Sequence, residues 1–498
     1  MIKLLKSFSA ILGLTVLIQV FGLLRSVFLS KDLGASMELD AFYLANVLTV
    51  SVFSIITSSI STVLIPSIIK EKGKSKTSSL NYLISIMRIT LGVSLILFLL
   101  LFFFVDKINP NFTNNIQKTF LFTVLVLLIG QFFRILSTYF MSKLQISEKY
   151  FISRFPNVIP ALFPLVYLLF TDNFRMVIFV SILASSYVAE LLMYFILGDI
   201  NIRKIKLSAF FLSSKKDKTS RNMLKNTLPI LIGSTLFQLQ IIITNYLAGY
   251  FGKGYITILS NTNQIVGIFQ GLLVANIFTL VYPRIVGIIK GNLLHGLKKV
   301  EDYIIITNFI VILLVWGYAA VGNDLVKLLF YRGNFTLESS NKVYIFGLLL
   351  MLGLPFSVIR DYFYRVYYAM DNTAKPTRNT IITVIFNICL LFLLKFVIQE
   401  FSLVVSISIG TLFSLINISF QMRKDNFLLN WKRLLSSFIL TNVLASIMFV
   451  AIKLFGINTE NSLNNLLVNI PLGVLVIGIS MTIIFFLFRN SFNLPDIH

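Results

Sequence analysis

The stretch that decides the fold is residues 21–66, FGLLRSVFLSKDLGASMELDAFYLANVLTVSVFSIITSSISTVLIP. An apolar helix that carries Arg25 is followed by a short turn at Gly34, and Asp40 then opens a second long apolar helix. An arginine near the middle of a membrane-spanning helix costs about 2.5–3.5 kcal/mol. We therefore expect Arg25 to face a wet cavity or an anionic partner, and we interpret that cavity as a transport site.

Composition places the rest of the chain in a membrane. The 498 residues are 57% hydrophobic and only 13% charged, whereas soluble proteins are about 25% charged. Apolar runs of about 20 residues, the length of a membrane-spanning helix, recur along the whole chain. Lipid offers backbone groups no hydrogen-bond partner outside a helix, so the sequence predicts an all-α polytopic membrane protein rather than several soluble domains.

Hydropathy and helix breakers predict fourteen transmembrane helices, so that both ends of the chain lie on the same side of the membrane. The predicted spans are 7–30, 40–70, 80–105, 117–143, 155–171, 175–198, 225–250, 258–290, 302–322, 341–370, 378–398, 402–423, 432–454 and 465–489.

The charge distribution predicts the orientation. The net charge is +23, and lysine and arginine gather in alternate loops, which the positive-inside rule assigns to the cytoplasm. We therefore expect a multi-pass protein of the bacterial cytoplasmic membrane with both termini cytoplasmic, in contact with anionic membrane lipids. A nucleic-acid partner is excluded, because no recognition module accompanies the charge.

A long polar connection after the sixth span divides the chain. We predict an N-lobe of six spans, a basic cytoplasmic linker, a C-lobe of six spans and a C-terminal helix pair, at 1–200, 201–225, 226–425 and 426–498.

The two halves also share a pattern. A glycine turn, Gly34 or Gly252, precedes a Thr-x-x-x-Pro that ends at Pro66 or Pro283, and the spacing is nearly the same in both halves. A parallel repeat of six spans predicts two pseudo-symmetric lobes with the binding site between them, near the middle of the membrane.

Cations at membrane depth are the candidate substrate contacts. Arg25 belongs to the first half, and Arg360 and Arg365 to the second. Guanidinium groups bind phosphate bidentately and stay charged, so cations from both halves could hold a diphosphate. The alternative is a salt bridge within the membrane, such as Arg25 with Asp40 or Glu190, or Arg360 with Asp361.

Neutral polar residues at membrane depth have a plain structural explanation, which is hydrogen bonding between helices. Asn263 and Gln264 lie close to the second Thr-x-x-x-Pro, and we predict that they contact substrate. Gln131, Arg134 and Glu190 are further polar residues at this depth in the first half.

The sequence contains no catalytic or metal-binding constellation. Cys389 is the single cysteine, His295 and His498 lie far apart, and Gly252-Lys253-Gly254 lacks the rest of a phosphate-binding loop. We predict no catalytic residue, metal or cofactor, and we exclude an enzyme and a pump with its own ATPase.

Several motifs resemble the MurJ (MviN) lipid II flippase family, within the multidrug/oligosaccharidyl-lipid/polysaccharide exporter superfamily. They are Phe21-Gly22-Leu23-Leu24-Arg25, Leu39-Asp40-Ala41-Phe42, Leu328-Leu329-Phe330-Tyr331-Arg332-Gly333-Asn334-Phe335-Thr336, Gly353-Leu354-Pro355, Tyr368-Ala369-Met370-Asp371-Asn372-Thr373 and Lys375-Pro376-Thr377. The resemblance implies fourteen spans, two lobes around a central cationic cavity, and an outer groove at the last two spans for a polyprenyl tail.

By the same resemblance, Arg25 and Asp40 match the family's cavity arginine and first-loop aspartate. Elsewhere the sequence departs from the family. Residues 52–58 carry no charge where the family has an arginine pair and a glutamate. Gln264 occupies the position of a family arginine, and Ser26 that of a family aspartate. A cavity with fewer cations favours a changed head group.

We therefore expect a flippase for an undecaprenyl-diphosphate-linked saccharide, working by alternating access. Lipid II is the first candidate cargo and a capsular or exopolysaccharide repeat unit the second, with cell-wall or capsule synthesis enzymes as further partners. The alternatives are an ion-coupled multidrug exporter with a carboxylate site at Asp40 or Glu190, and a membrane scaffold without transport.

Overall fold

The computed structural model describes residues 2–70, 76–109, 111–147, 149–198, 218–271, 275–427 and 429–488. Every regular element in these residues is a helix, as the sequence predicts. The α-helices in chain order are α1 Ile2–Leu33, α2 Met37–Lys70, α3 Lys76–Phe103, α4 Val105–Ile108, α5 Asn114–Ile146, α6 Tyr150–Arg154, α7 Ile159–Phe170, α8 Met176–Leu197, α9 Lys218–Tyr250, α10 Tyr255–Phe269, α11 Ala275–Gly291, α12 Leu293–Phe330, α13 Leu337–Met351, α14 Leu354–Ala369, α15 Ala374–Ile398, α16 Ser402–Lys424, α17 Trp431–Phe455 and α18 Ser462–Phe488, with 3₁₀ turns at Phe155–Val158 and Gln399–Phe401.

Eleven segments of the described chain are long and apolar enough to cross a membrane. One of them, Ala374–Lys424, contains both α15 and α16. The seventh and eighth predicted spans are covered by α9 and by the pair α10 and α11, which are not among the eleven. The all-α membrane fold is confirmed, and the count of fourteen stays a prediction.

The chain divides into two compact units. Unit 1 comprises Met1–Ile268, Gly333–Phe335 and Leu391–Leu403, and unit 2 comprises Phe269–Arg332, Thr336–Leu390 and Val404–His498. The predicted linker lies outside the described residues as far as position 217, and so do the side chains of the threonines and prolines that define the two Thr-x-x-x-Pro patterns. The predicted lobe boundaries therefore stay a prediction.

Unit 1 is built around α2, α5 and α8. Helix α5 packs against both α2 and α8, while α9 packs on α2 and α1 packs on α7. Large aromatic side chains such as Phe53, Phe120 and Phe179 are fully buried in it. The outer face of α3 is different, since Leu95 and Phe103 are 60% and 73% exposed. Such an apolar exposed face is expected of a helix that borders lipid.

Unit 2 is organised around the 38-residue helix α12. At 1.5 Å per residue this helix is far longer than the roughly 30 Å hydrocarbon core. It packs against α11, α13, α14, α17 and α18. The last two helices also pack on each other, and Met448 and Ile452 of α17 are buried with Ala320 of α12.

The turn between α1 and α2 is fastened to a distant part of unit 1. The backbone N–H of Asn334 donates to the carbonyl of Lys31 at 2.8 Å, and its side-chain Nδ2 donates to the carbonyl of Asp32 at 2.6 Å. Gly34 adopts φ +63° at this turn, and a Cβ there would collide with the backbone of Asn334. Backbone geometry and the close approach therefore both require glycine at position 34.

We predict that Gly34→Ala lowers the free energy of unfolding by at least about 1–2 kcal/mol, because a side chain is strained at positive φ and clashes with Asn334. Thermal unfolding of the purified protein in detergent measures the effect. Gly92→Ala in α3 is the matched control, since its new methyl group meets no atom within 4 Å and alanine favours helix. Equal unfolding temperatures for the two variants would contradict the close approach.

Candidate functional site

The candidate site residues fall in both units. Unit 1 holds Arg25 on α1, Asp40 on α2, and Asn263 with Gln264 on α10, while unit 2 holds Arg360 and Arg365 on α14.

Arg25 is half-buried in α1. None of the ion pairs within the described residues involves it. The salt bridges with Asp40 or Glu190 that the sequence left open are therefore not formed in this part of the chain. A guanidinium without a carboxylate partner at this depth keeps its full charge available for an anion.

Asp40 is fully buried and has partners of its own. Its carboxylate accepts hydrogen bonds from the backbone N–H of Gly254 at 2.7 Å and of Thr257 at 2.8 Å, and from the hydroxyl of Thr257 at 2.7 Å. These groups lie at the start of α10, where the helix leaves backbone N–H groups without internal partners and where its dipole favours negative charge. Asp40 thus caps a helix that begins more than 200 residues later.

The capped helix carries the two predicted amides. Gln264 is half-buried, and its Oε1 lies 3.6 Å from the position that a Cβ on Gly22 would occupy. Gly22 and Arg25 are three residues apart and share a face of α1. The structure therefore brings Gln264 within one helical turn of Arg25, whereas Asn263 is exposed.

A buried polar cluster, which the sequence reasoning missed, fixes α10 against α1. The side-chain Oδ1 of Asn261 accepts from the hydroxyl of Ser26 at 2.5 Å, and its Nδ2 donates to the hydroxyl of Ser30 at 2.8 Å. The hydroxyls of Ser26 and Tyr43 also lie 3.0 Å apart. All four side chains are almost fully buried, so this cluster holds α1, α2 and α10 together. Its only sequence signal is the pair of serines one turn apart on α1.

The two arginines of α14 differ in how far their charge is compensated. Arg360 forms the predicted alternative, a salt bridge to Asp361, with Nε and one terminal nitrogen 3.0 and 2.8 Å from Oδ1. Arg365 donates to the backbone carbonyl of Asp361 at 3.0 Å. Its guanidinium carbon lies 3.5 Å from the ring centre of Phe278 and 6.0 Å from that of Tyr282.

These contacts make Arg365 the more available cation of the two. A carboxylate neutralises the guanidinium of Arg360, whereas the aromatic rings orient that of Arg365 and leave its charge in place. Among the ion pairs of the described chain, none includes Arg365. Roles in substrate binding for all six residues stay predictions.

We predict that Asp40→Ala loosens the start of α10, because two buried backbone N–H groups lose their acceptor, at about 1–3 kcal/mol each. Hydrogen exchange at residues 254–260 should accelerate, and the unfolding temperature should fall. Glu38→Gln, in the same turn of α2 but without a hydrogen bond among the described residues, is the control. Unchanged exchange in Asp40→Ala would show that the carboxylate does not hold this helix.

Comparison with known proteins agrees with this architecture. The family model described as lipid II flippase MurJ matches residues 29–472. A curated relative, the probable lipid II flippase MurJ of Rickettsia prowazekii, is 22% identical over 215 residues, which are 43% of this chain and 42% of that protein. The chain therefore spans less than half the length of the curated relative that it matches.

Solved structures share the fold over most of the chain. A lipid II flippase MurJ in an inward closed conformation superposes with a TM-score of 0.78 at 20% identity, covering 96% of this chain and 98% of that one. An inward-facing multidrug resistance transporter of the MATE family, from the MOP superfamily, gives 0.64 at 14% identity, with 84% and 98% covered. Since the family model matches nearly the whole chain, this protein belongs to the lipid II flippase MurJ family.

Proposed function

We propose that this chain is a flippase that carries an undecaprenyl-diphosphate-linked saccharide from the inner to the outer leaflet of the cytoplasmic membrane. Lipid II is the first candidate cargo, and a capsular or other exopolysaccharide repeat unit is the second. The observation that carries the proposal is Arg25, a half-buried guanidinium without an ion pair in the described chain. Family membership supplies the class of cargo.

In this proposal Arg25 and Arg365 bind the diphosphate. Each guanidinium offers parallel N–H donors that match two phosphate oxygens, and it stays charged throughout the transport cycle. Arg360 contributes only when its salt bridge with Asp361 opens. The proposed mechanism is alternating access, in which the two halves move around a bound head group.

The neighbours of the diphosphate follow from the same proposal. Gln264, next to Gly22 on α1, and the exposed Asn263 contact sugar hydroxyls, since amides both donate and accept. Asp40 acts by positioning α10, which carries these two amides. The polyprenyl tail stays in lipid beside α17 and α18. Transport of this kind makes and breaks no covalent bond. In this proposal both termini lie in the cytoplasm.

A second candidate function is ion-coupled export of small cationic compounds. It is supported by the fold shared with MATE transporters and by Glu190, whose Oε2 is buried without a hydrogen-bond partner in the described residues. A buried carboxylate can exchange a proton or bind a cation during transport. Ion-dependent efflux from inverted vesicles, without any effect on glycan precursors, would favour it.

We predict that Arg25→Ala fails to support growth of cells depleted of their own lipid II flippase, because the diphosphate loses its charged partner. Protein levels should be matched, and Arg175→Ala, which removes an exposed arginine of the same unit, should complement fully. Full complementation by Arg25→Ala would refute the assignment of this arginine.

We also predict that depletion of the protein in its native cells causes one polyprenyl-linked saccharide to accumulate on the cytoplasmic face. Mass spectrometry of extracted lipids identifies the saccharide, and a membrane-impermeant labelling reagent establishes the leaflet. Accumulation of lipid II or of a capsular repeat unit decides between the two cargoes. Unchanged precursor pools would reject a flippase of either kind.

A further inference from the structure

A polar cavity lies inside unit 1, and its lining includes none of the six candidate substrate contacts. This cavity, which we call the Arg134 pocket, has a volume of about 410 Å³ and lies between α2, α5, α8 and the segment of α6 with its 3₁₀ turn. Its polar lining includes Ser54, Thr57, Gln131, Arg134, Arg154 and Glu190. Arg25 does not line it. The volume falls within the range of small-molecule binding sites.

Two exposed guanidiniums give the pocket its positive charge. Arg134 lies on α5 and Arg154 at the end of α6, and neither takes part in an ion pair within the described chain. The guanidinium of Arg134 lies 5.4 Å from the ring centre of Tyr187, a contact that orients it without neutralising it. Two such groups facing one cavity favour an anion with several oxygens, of which phosphate is the commonest.

Two further side chains of the pocket have unmet hydrogen bonds. Glu190 is 4% exposed and its Oε2 has no partner, while Gln131 is 2% exposed and its Nε2 has none, within the residues described. One atom is an acceptor and the other a donor. A hydroxyl group can serve both, because it donates one hydrogen bond and accepts others. A buried polar atom without a hydrogen-bond partner lowers the stability of the fold. These two atoms therefore favour a ligand that supplies the missing partners.

The charge balance argues against a bound metal ion. Glu190 is the single carboxylate of the lining, and two guanidiniums accompany it. Within the described part of the chain there is also no group of three or more histidine, cysteine, aspartate or glutamate residues that could hold one. The pocket requires instead a ligand with an anionic part and a hydroxyl-bearing part.

We propose that the Arg134 pocket binds a phosphate head group that carries free hydroxyls, with the phosphate between Arg134 and Arg154 and a hydroxyl between Glu190 and Gln131. A glycerophospholipid and a saccharide linked through diphosphate both present this chemistry. The pocket is a head-group site separate from Arg25, and its occupation does not depend on transport.

The position of the pocket is consistent with access from one membrane face. Met141 and Tyr194, which also line it, lie in the last turns of α5 and α8, and Arg154 precedes the first turn of α7. These helix ends lead into the lysine- and arginine-rich loops that the positive-inside rule assigns to the cytoplasm. A lipid head group at that surface would meet the pocket directly.

Native mass spectrometry of the purified full-length protein in detergent tests the proposal. Three probes are added separately: phosphatidylglycerol, phosphatidylethanol, which has the same phosphate diester but no head-group hydroxyl, and a polyprenyl-diphosphate-linked disaccharide. We expect phosphatidylglycerol to bind about tenfold more tightly than phosphatidylethanol. One well-placed hydrogen bond to a charged group accounts for a difference in affinity of this size. The hydroxyl-bearing probe whose affinity falls more when Arg134 and Arg154 are substituted identifies the source of the head group.

The variants separate the two parts of the ligand. Combined Arg134→Gln and Arg154→Gln should weaken both phospholipid probes by about tenfold or more. Glu190→Leu, which removes the acceptor for the hydroxyl, should abolish the preference for phosphatidylglycerol over phosphatidylethanol. Arg175→Gln, an exposed arginine outside the pocket, should leave every affinity unchanged. Both substituted arginines are exposed, so their replacement leaves no internal cavity, and unfolding temperatures check that each variant is folded.

Two results would overturn the proposal. One is a double arginine variant whose affinities all remain within about twofold of those of the native chain. The other is an equal affinity of the native chain for phosphatidylglycerol and phosphatidylethanol. Arg25→Ala should leave the affinities for phosphatidylglycerol and phosphatidylethanol unchanged, because Arg25 does not line the pocket. A failed complementation experiment and a failed pocket therefore remain distinguishable.

Discussion

An ionised group placed among apolar helices is costly unless it is compensated, and this constraint shapes the whole protein. Asp40 meets it with three donors at the start of α10, and Arg360 meets it with the adjacent Asp361. Arg25, Arg134 and Arg154 form no ion pair in the described residues. Charges that the folded chain compensates hold helices together, and charges that it leaves open are available to ligands.

The fold itself follows from the sequence because hydrocarbon permits few alternatives. Long apolar runs can only be helices in lipid, and the structure has them where hydropathy places them. The salt bridge between Arg360 and Asp361 could also be predicted, because the two residues are neighbours in the sequence. The hydropathy of α9 and α10 was less decisive, since polar residues such as Gln240, Asn245 and Asn261 interrupt their apolar faces.

Contacts between distant residues could not be derived in this way. Nothing near Asp40 in the sequence indicates Gly254 and Thr257 as its partners, and Asn261 resembles any other polar residue of a membrane helix. The Arg134 pocket combines four segments of chain, so the polar residues at 131, 134 and 190 could be recognised singly but not as one cavity. Residues 52–58, noted for their lack of charge, contribute Ser54 and Thr57 to that same cavity. The fold alone does not specify the cargo, since a structure described as a multidrug resistance MATE family transporter shares it.

The attachment of the turn between α1 and α2 to Asn334 also constrains the order in which the chain can fold during its synthesis. The carbonyls of Lys31 and Asp32 leave the ribosome about 300 residues before Asn334, whose backbone N–H and side-chain Nδ2 donate to them. Unit 1 further includes Leu391–Leu403, so it remains incomplete until most of the polypeptide has been inserted. The first two helices therefore enter the bilayer before the partner of their connecting turn has been made, and a chain truncated before residue 333 would lack that partner.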